Sequence, residues 1–109
     1  MHEGLDIDGE TGDPVTAAER GTVVFAEFDQ GYGLTVEVAH SGRFSGLLTR
    51  YSHLSAALVK PGEFVGRGDE VGRIGTTGSV TGSHLHFELH DAAGPFDPFD
   101  LLVPRDDAG

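Results

Sequence analysis

The sequence predicts a small all-β domain, an antiparallel sheet or sandwich, and three observations carry that expectation. Seventeen Gly and five Pro are scattered at short intervals through 109 residues, so no uninterrupted helical pattern of a dozen residues can be drawn. The segments between them are rich in β-branched and aromatic side chains. Within those segments apolar and polar residues alternate, as they do in antiparallel strands with one face on a core.

Taken in chain order, Leu5 and Ile7 alternate with Asp6 and Asp8 as in a strand entering a core. Asp8, Glu10 and Asp13 then read as a solvated acidic loop. Thr22–Phe28 (TVVFAEF) and Leu34–Ala39 (LTVEVA) follow as strands; Phe25, Leu34, Val36 and Val38 take the core face, with Thr35 and Glu37 turned the other way. Leu47–Tyr51 is a third such segment, and Leu54–Val59 is the one helical candidate, of one or two turns. Glu70–Ile74 and His84–His90 complete the set, the last with Leu85 and Phe87 toward the core. Between these two, Thr76–Ser83 is uncharged and Gly-rich, readable equally as a hairpin loop or as a wall offering backbone groups to a peptide. Six to eight short strands result. No linker or low-complexity tract divides residues 1–109, so the chain reads as one domain, with Arg105–Gly109 as a frayed tail.

Composition removes several function classes. Eighteen acids against seven bases leave a net charge of -11, which repels phosphate backbones and anionic lipid, so neither nucleic acid nor a membrane surface is an expected partner. No segment approaches the ~20 apolar residues of a membrane-spanning helix. Zero cysteines exclude disulfides, thiolate metal sites and cysteine nucleophiles, leaving His, Asp, Glu and Ser to carry chemistry. Gly21-Thr-Val-Val and Gly72-Arg-Ile-Gly are similar to turns of lipoyl- and biotin-carrier sandwiches. The sole lysine, Lys60, precedes Pro61 and lacks the Met-Lys setting of those carriers, so the likeness is shared turn chemistry.

The six histidines are unevenly spread. His84 and His86 are two apart in a strand, on one face and ~6.6 Å apart along the backbone, so both imidazoles can enter one site. On a straight strand His2 and Asp6 would stand ~13 Å apart, so their sharing one ion requires a bend, which Gly4 permits. Two imidazoles and a carboxylate without cysteine are the ligand set of a catalytic zinc, with a position left for water. Glu88 shares the face of His84 and His86 and can accept an imidazole N–H. His40, at a strand end before Ser41-Gly42, is expected to cap a turn, and His90 to sit at the rim of a groove; structural roles are expected for both.

Read together, His2-x-Gly4-x-Asp6, Tyr51-x-His53-Leu54 and Gly82-x-His84-Leu85-His86-Phe87-Glu88 occur in the order and at the intervals of three family motifs, with Phe96-Asp97-Pro98-Phe99 as a closing segment. Over nearly its whole length the chain resembles the lysostaphin-like family of peptidoglycan-cleaving zinc metallopeptidases. The resemblance implies a small antiparallel β fold whose groove carries one Zn2+, held by His2, Asp6 and His86, with His53 and His84 as catalytic histidines that are not ligands. It implies a zinc-dependent endopeptidase acting on peptide stems or cross-bridges of peptidoglycan, in the cell envelope or outside the cell. Of His53 and His84, one would act as base and the other would stabilise the oxyanion and protonate the leaving amine, in either assignment. The family usually has a further strand and loop before its first ligand, whereas His2 follows Met1 directly; the expectation is the catalytic core of a longer exported chain. Two rival readings are a catalytically inactive wall-binding or hydrolase-activating module of the same fold, and a sugar-transport phosphocarrier. The phosphocarrier would need neither Asp6 nor the His-Leu-His-Phe-Glu run.

Overall fold

Short apolar-alternating segments separated by glycine turns can satisfy their backbone hydrogen bonds only by pairing with one another, and they do. The computed structural model describes residues 3–76 and 84–91. Its strands are β1 (Glu3–Asp8), β2 (Pro14–Thr16), β3 (Gly21–Asp29), β4 (Gly33–His40), β5 (Leu47–Ala57), β6 (Phe64–Val65), β7 (Glu70–Ile74) and β8 (His84–Asp91). All pairings are antiparallel, in the order β1-β8-β5-β4-β3-β6, with β7 joining β5 to β2. The all-β antiparallel expectation holds, and the count of eight lies within the expected six to eight. A single 3-10 turn, Gly42–Phe44, is the one helical element among the described residues, and no helix there is long and apolar enough to cross a membrane.

The eleven-residue β5 is the hub. Its first half, Leu47–Ser52, lies between β4 and β8, while Leu54, Ala56 and Ala57 pair with β7. The helix expected over Leu54–Val59 is therefore absent, and residues up to Ala57 extend the strand. Leu54 is fully buried and opposes both Leu34 and Ile74. A helical turn there would leave the edges of β4 and β7 unpaired, so tertiary pairing overrides the local Ser-Ala-Ala-Leu propensity.

The core forms on one face, from Val36 and Val38 of β4, Tyr51 and Leu54 of β5, Val71 of β7, and Leu85, Phe87 and Leu89 of β8. Tyr51 and Phe87 face each other across the β5–β8 ladder with ring centroids 5.5 Å apart. Leu5 packs against this core as expected, but Ile7 is 37% exposed because it stands near the end of an outer strand. An apolar cavity of about 190 Å³ opens on the same side, between Ile7, Pro14, Ile74, Leu85 and Phe87.

The expected division of β4 into an apolar face and a solvated one is only half right. Thr35 is wholly buried on the second face, where its hydroxyl donates to the Gly33 carbonyl at 3.1 Å and lies 3.3 Å from Ser52 Oγ. That second face carries a polar layer. His40 does not cap a turn. Its Nδ1–H donates to the Arg20 carbonyl at 2.9 Å, leaving Nε2 to accept from Thr49 Oγ1 at 2.7 Å. Thr49 in turn accepts from the Tyr51 hydroxyl at 2.8 Å, whose oxygen accepts the Ala18 N–H at 3.0 Å. Burial holds the His40 imidazole below its ordinary value, which favours this neutral tautomer. Its structural role is as expected, but the role is to lock strands together through the core.

Candidate active site

Alternation on β8 sends Leu85, Phe87 and Leu89 to the core and His84, His86, Glu88 and His90 to the opposite face. The flanking ladders bring further polar side chains onto that face: Asp6 and Asp8 of β1 oppose His86 and His84, and Ser52 and Arg50 of β5 oppose His86 and Glu88. Asp6 Oδ1 lies 2.7 Å from His86 Nδ1 and 3.7 Å from His84 Nε2. The His86 hydrogen bond holds the Asp6 carboxyl below its ordinary value, against a smaller opposing effect of desolvation.

His53 reaches the same face by a different device. Leu34 opposes Leu54 and Val36 opposes Tyr51, so β5 carries one more residue than β4 over this stretch, a β-bulge at Ser52–His53. His53 takes the left-handed conformation, φ 64°, the one non-glycine among the described residues to do so. Its N–H donates to the Tyr32 carbonyl at 2.9 Å. Two consecutive side chains, Ser52 and His53, are thereby directed to one side, and the His53 ring stands 5.3 Å from that of His84 and 6.0 Å from that of His86. With an exposure of 6%, His53 is the most enclosed of the three imidazoles.

Of the residues the sequence singled out, the fold brings together Asp6, His53, His84 and His86. His2 lies outside the described residues, as do residues 77–83 of the Gly-rich Thr76–Ser83 segment, the Phe96–Phe99 segment and the Arg105–Gly109 tail. Gly4 is a regular member of the β1 ladder, opposite Glu88, so the bend expected at it is not found between Glu3 and Asp8. Among the described residues no three potential ligands converge closely enough to form a metal cluster. Asp8, Glu10 and Asp13 are exposed as expected, with the Asp13 carboxylate accepting the Glu10 N–H at 2.9 Å within the turn. His90 is partly exposed at the margin of the face, its Nε2 2.9 Å from Glu88 Oε1.

Two residues were missed by sequence reasoning. The Tyr32 ring stands 6.4 Å from that of His53 and 5.8 Å from that of His86, forming one wall of the site. The Arg50 guanidinium covers the same ring at 4.7 Å, bonds Glu37 at 2.7 Å and contacts the Asp29 carboxylate. Burial raises the Glu37 carboxyl above its ordinary value. A signal for Tyr32 exists in Gly31-Tyr32-Gly33, an aromatic at a turn whose two glycines both require positive φ, 83° and 71°. Arg50 has a weaker one, as the lone base within an otherwise uncharged strand.

An open antiparallel sheet bearing this imidazole and carboxylate cluster defines the class first: the fold is that of the lysostaphin-type peptidase catalytic domain. The catalytic domain of lysostaphin from Staphylococcus simulans superposes with a TM-score of 0.83 at 32% identity, covering 94% of this chain and 79% of that one. A zinc-containing peptidase from Vibrio cholerae superposes at 0.80 with 33% identity, covering 94% of this chain and 30% of the other. Residues 1–98 match the pattern of peptidase family M23, and the chain belongs to that family. The peptidoglycan DD-endopeptidase ShyC of Vibrio cholerae is 41% identical over 88 residues, which are 81% of this chain and 20% of ShyC. The chain spans between about a fifth and a third of the length of the curated relatives it matches.

Proposed function

We propose that this chain is the catalytic domain of a zinc-dependent endopeptidase that hydrolyses peptide bonds of bacterial peptidoglycan, working in the cell envelope or outside the cell. The observation that carries the reading is the convergence of Asp6, His53, His84 and His86 on one polar sheet face, at the motif positions of the family to which the chain belongs.

His2, Asp6 and His86 are the proposed zinc ligands; for His2 the support is the sequence motif alone. The donors present suit the ion. Asp6 Oδ1 and His86 Nδ1 lie 2.7 Å apart, a carboxylate oxygen and an imidazole nitrogen of the kinds that zinc takes. The other His86 nitrogen rests on a carboxylate, the arrangement usual for a metal-bound imidazole. Zinc, when bound, supplies Lewis-acid polarisation of a carbonyl and of a water.

The remaining chemistry falls to imidazoles. His53 and His84, edge to face at 5.3 Å, flank the Asp6–His86 pair, so one can take a proton from an attacking water while the other hydrogen-bonds the developing oxyanion and gives a proton to the leaving amine. The Tyr32 ring limits water on the side of His53 and His86, and the bulge holds His53 where sheet periodicity alone would not.

Digestion of purified peptidoglycan, with mass analysis of the released fragments and metal analysis of the dialysed protein, tests the reading. One zinc per chain and fragments ending at a cleaved peptide bond are expected. No cleavage, together with zinc content near zero after zinc is supplied, would refute it.

A further inference from the structure

Glu88 is a carboxylate with 2% exposure in a strand whose other buried positions are apolar. Burying a carboxylate is costly unless the surroundings use it. Here the two oxygens are divided between two imidazoles: Oε2 lies 2.8 Å from His86 Nε2 and Oε1 lies 2.9 Å from His90 Nε2. Along the ladders Glu88 is flanked by Gly4, which contributes no side chain, and by Arg50. The strand thus carries His86, Glu88 and His90 at two-residue spacing on one face, with the carboxylate as a fork between two rings.

We infer that Glu88 is the positioning residue of this site, fixing His86 so that Nε2–H donates to the Glu88 carboxylate and Nδ1, on the side of Asp6, is the nitrogen left for the ion the two would share. The inference rests on the proposed zinc reading and deepens it by assigning the ring nitrogen that faces the metal and the group that selects it. An imidazole has one donor and one acceptor nitrogen when neutral, so a carboxylate that takes Nε2–H leaves Nδ1 as the ligand. Without Glu88 the ring can rotate about its χ angles and present either nitrogen, and Asp6 and His86 are no longer held converged. His90, on the other prong at 2.9 Å, fixes the rotation of the carboxylate and so acts on His86 through Glu88.

The test compares the parent with Glu88→Gln, which keeps the shape of the side chain but replaces the forked acceptor by one oxygen and one donor amide. Zinc affinity is read by competition with a chromogenic chelator, and His86 by long-range 1H–15N spectra of the zinc-loaded protein. The parent should show Nδ1 as the metal-bound nitrogen and a slowly exchanging Nε2–H. Glu88→Gln should bind zinc about 10- to 100-fold more weakly, with kcat recovering once zinc is saturating. His90→Ala should fall between the two in zinc affinity. Equal affinity in parent and Glu88→Gln overturns the inference, and so does a parent spectrum with zinc on Nε2; the latter measurement stands even if the variant fails to fold. A parent that binds no zinc at all refutes the proposed function instead, which keeps the two failures distinct.

Discussion

Replacing His53 by alanine and by glycine separates the strain stored at this position from the chemistry of its ring. At φ 64° a residue with a Cβ pays roughly 1–2 kcal/mol for the left-handed conformation, and alanine pays it as histidine does. Glycine escapes it, losing in exchange roughly 0.5–1 kcal/mol of backbone entropy relative to alanine. The two contributions leave His53→Gly more stable than His53→Ala by about 0.5–1 kcal/mol, or ~4 °C in Tm for a domain of this size. Both variants lose the same ring contacts with Tyr32, His84 and His86, so those cancel in the comparison. At Thr22, an exposed β3 position with ordinary backbone, the order should be the usual one, with alanine above glycine. Wall-hydrolysis rates should fall ~10²-fold or more in both His53 variants, as for removal of an acid–base or oxyanion group. If glycine at 53 proves less stable than alanine by the ordinary strand margin, the strained bulge is not what holds His53. Undiminished hydrolysis would separately refute the assigned role.

Two further outcomes concern the core network. Tyr51→Phe should destabilise the domain by about 1–3 kcal/mol with an unchanged denaturant m-value, because the part-buried Ala18 N–H loses its acceptor and the buried Thr49 Oγ1 loses its donor; a loss under 0.5 kcal/mol, roughly the scale of a neutral surface change, would contradict this account. Because burial lowers the His40 pKa from its ordinary 6.5, the unfolded chain takes up that proton first. The His40 contribution is then intact above the unfolded value and is lost as the pH falls toward the folded one. The parent Tm should thus fall more steeply between about pH 7 and pH 5 than that of His40→Asn, whatever their absolute stabilities; parallel curves would refute the linkage.

What the sequence makes legible follows from the range of the interactions involved. Period-two alternation is local, so the separation of His84, His86 and Glu88 from Leu85 and Phe87 could be read directly from β8, and a one-residue slip would invert every one of those positions. Glu88 as an imidazole partner was accessible in the same way, through shared parity. The convergence of His53 was not, because it depends on an extra residue in β5 relative to β4, a mismatch between two strands that neither contains alone. The failed helix at Leu54–Val59 has the same origin: its strand character comes from β7, whose partner residues Gly72–Ile74 lie well downstream. Tyr32 entered the site through a turn, where period gives no guidance and only its two flanking glycines speak. Motif resemblance grouped Asp6, His53, His84 and His86, which the fold brings to one face, because it records such long-range pairing without deriving it.

The placement of the proposed ligands across the sheet has a consequence for its dynamics. β8 is interior, held by β1 on one side and β5 on the other, whereas β1 is the outermost strand and, among the described residues, pairs only with β8. Asp6 is 64% exposed on that outer strand and His86 is on the interior one. An edge strand opens locally at a lower free energy than a central one, so without metal the β1–β8 ladder should fray before the β8–β5 ladder. A zinc ion shared by Asp6 and His86, as proposed, would join the two strands across their ladder and would stabilise only the closed arrangement, by RT ln(1 + [Zn]/Kd), or about 2.7 kcal/mol at a free concentration of a hundred Kd. Hydrogen exchange reads this strand by strand. In the β1 amides that bond to β8, zinc should slow exchange by up to ~100-fold, while the amides of β4, paired on both sides by β3 and β5, should change far less. Equal protection of β1 with and without zinc, in protein shown to bind one equivalent, would mean that the metal does not bridge β1 to β8, and Asp6 would lose its place as a ligand.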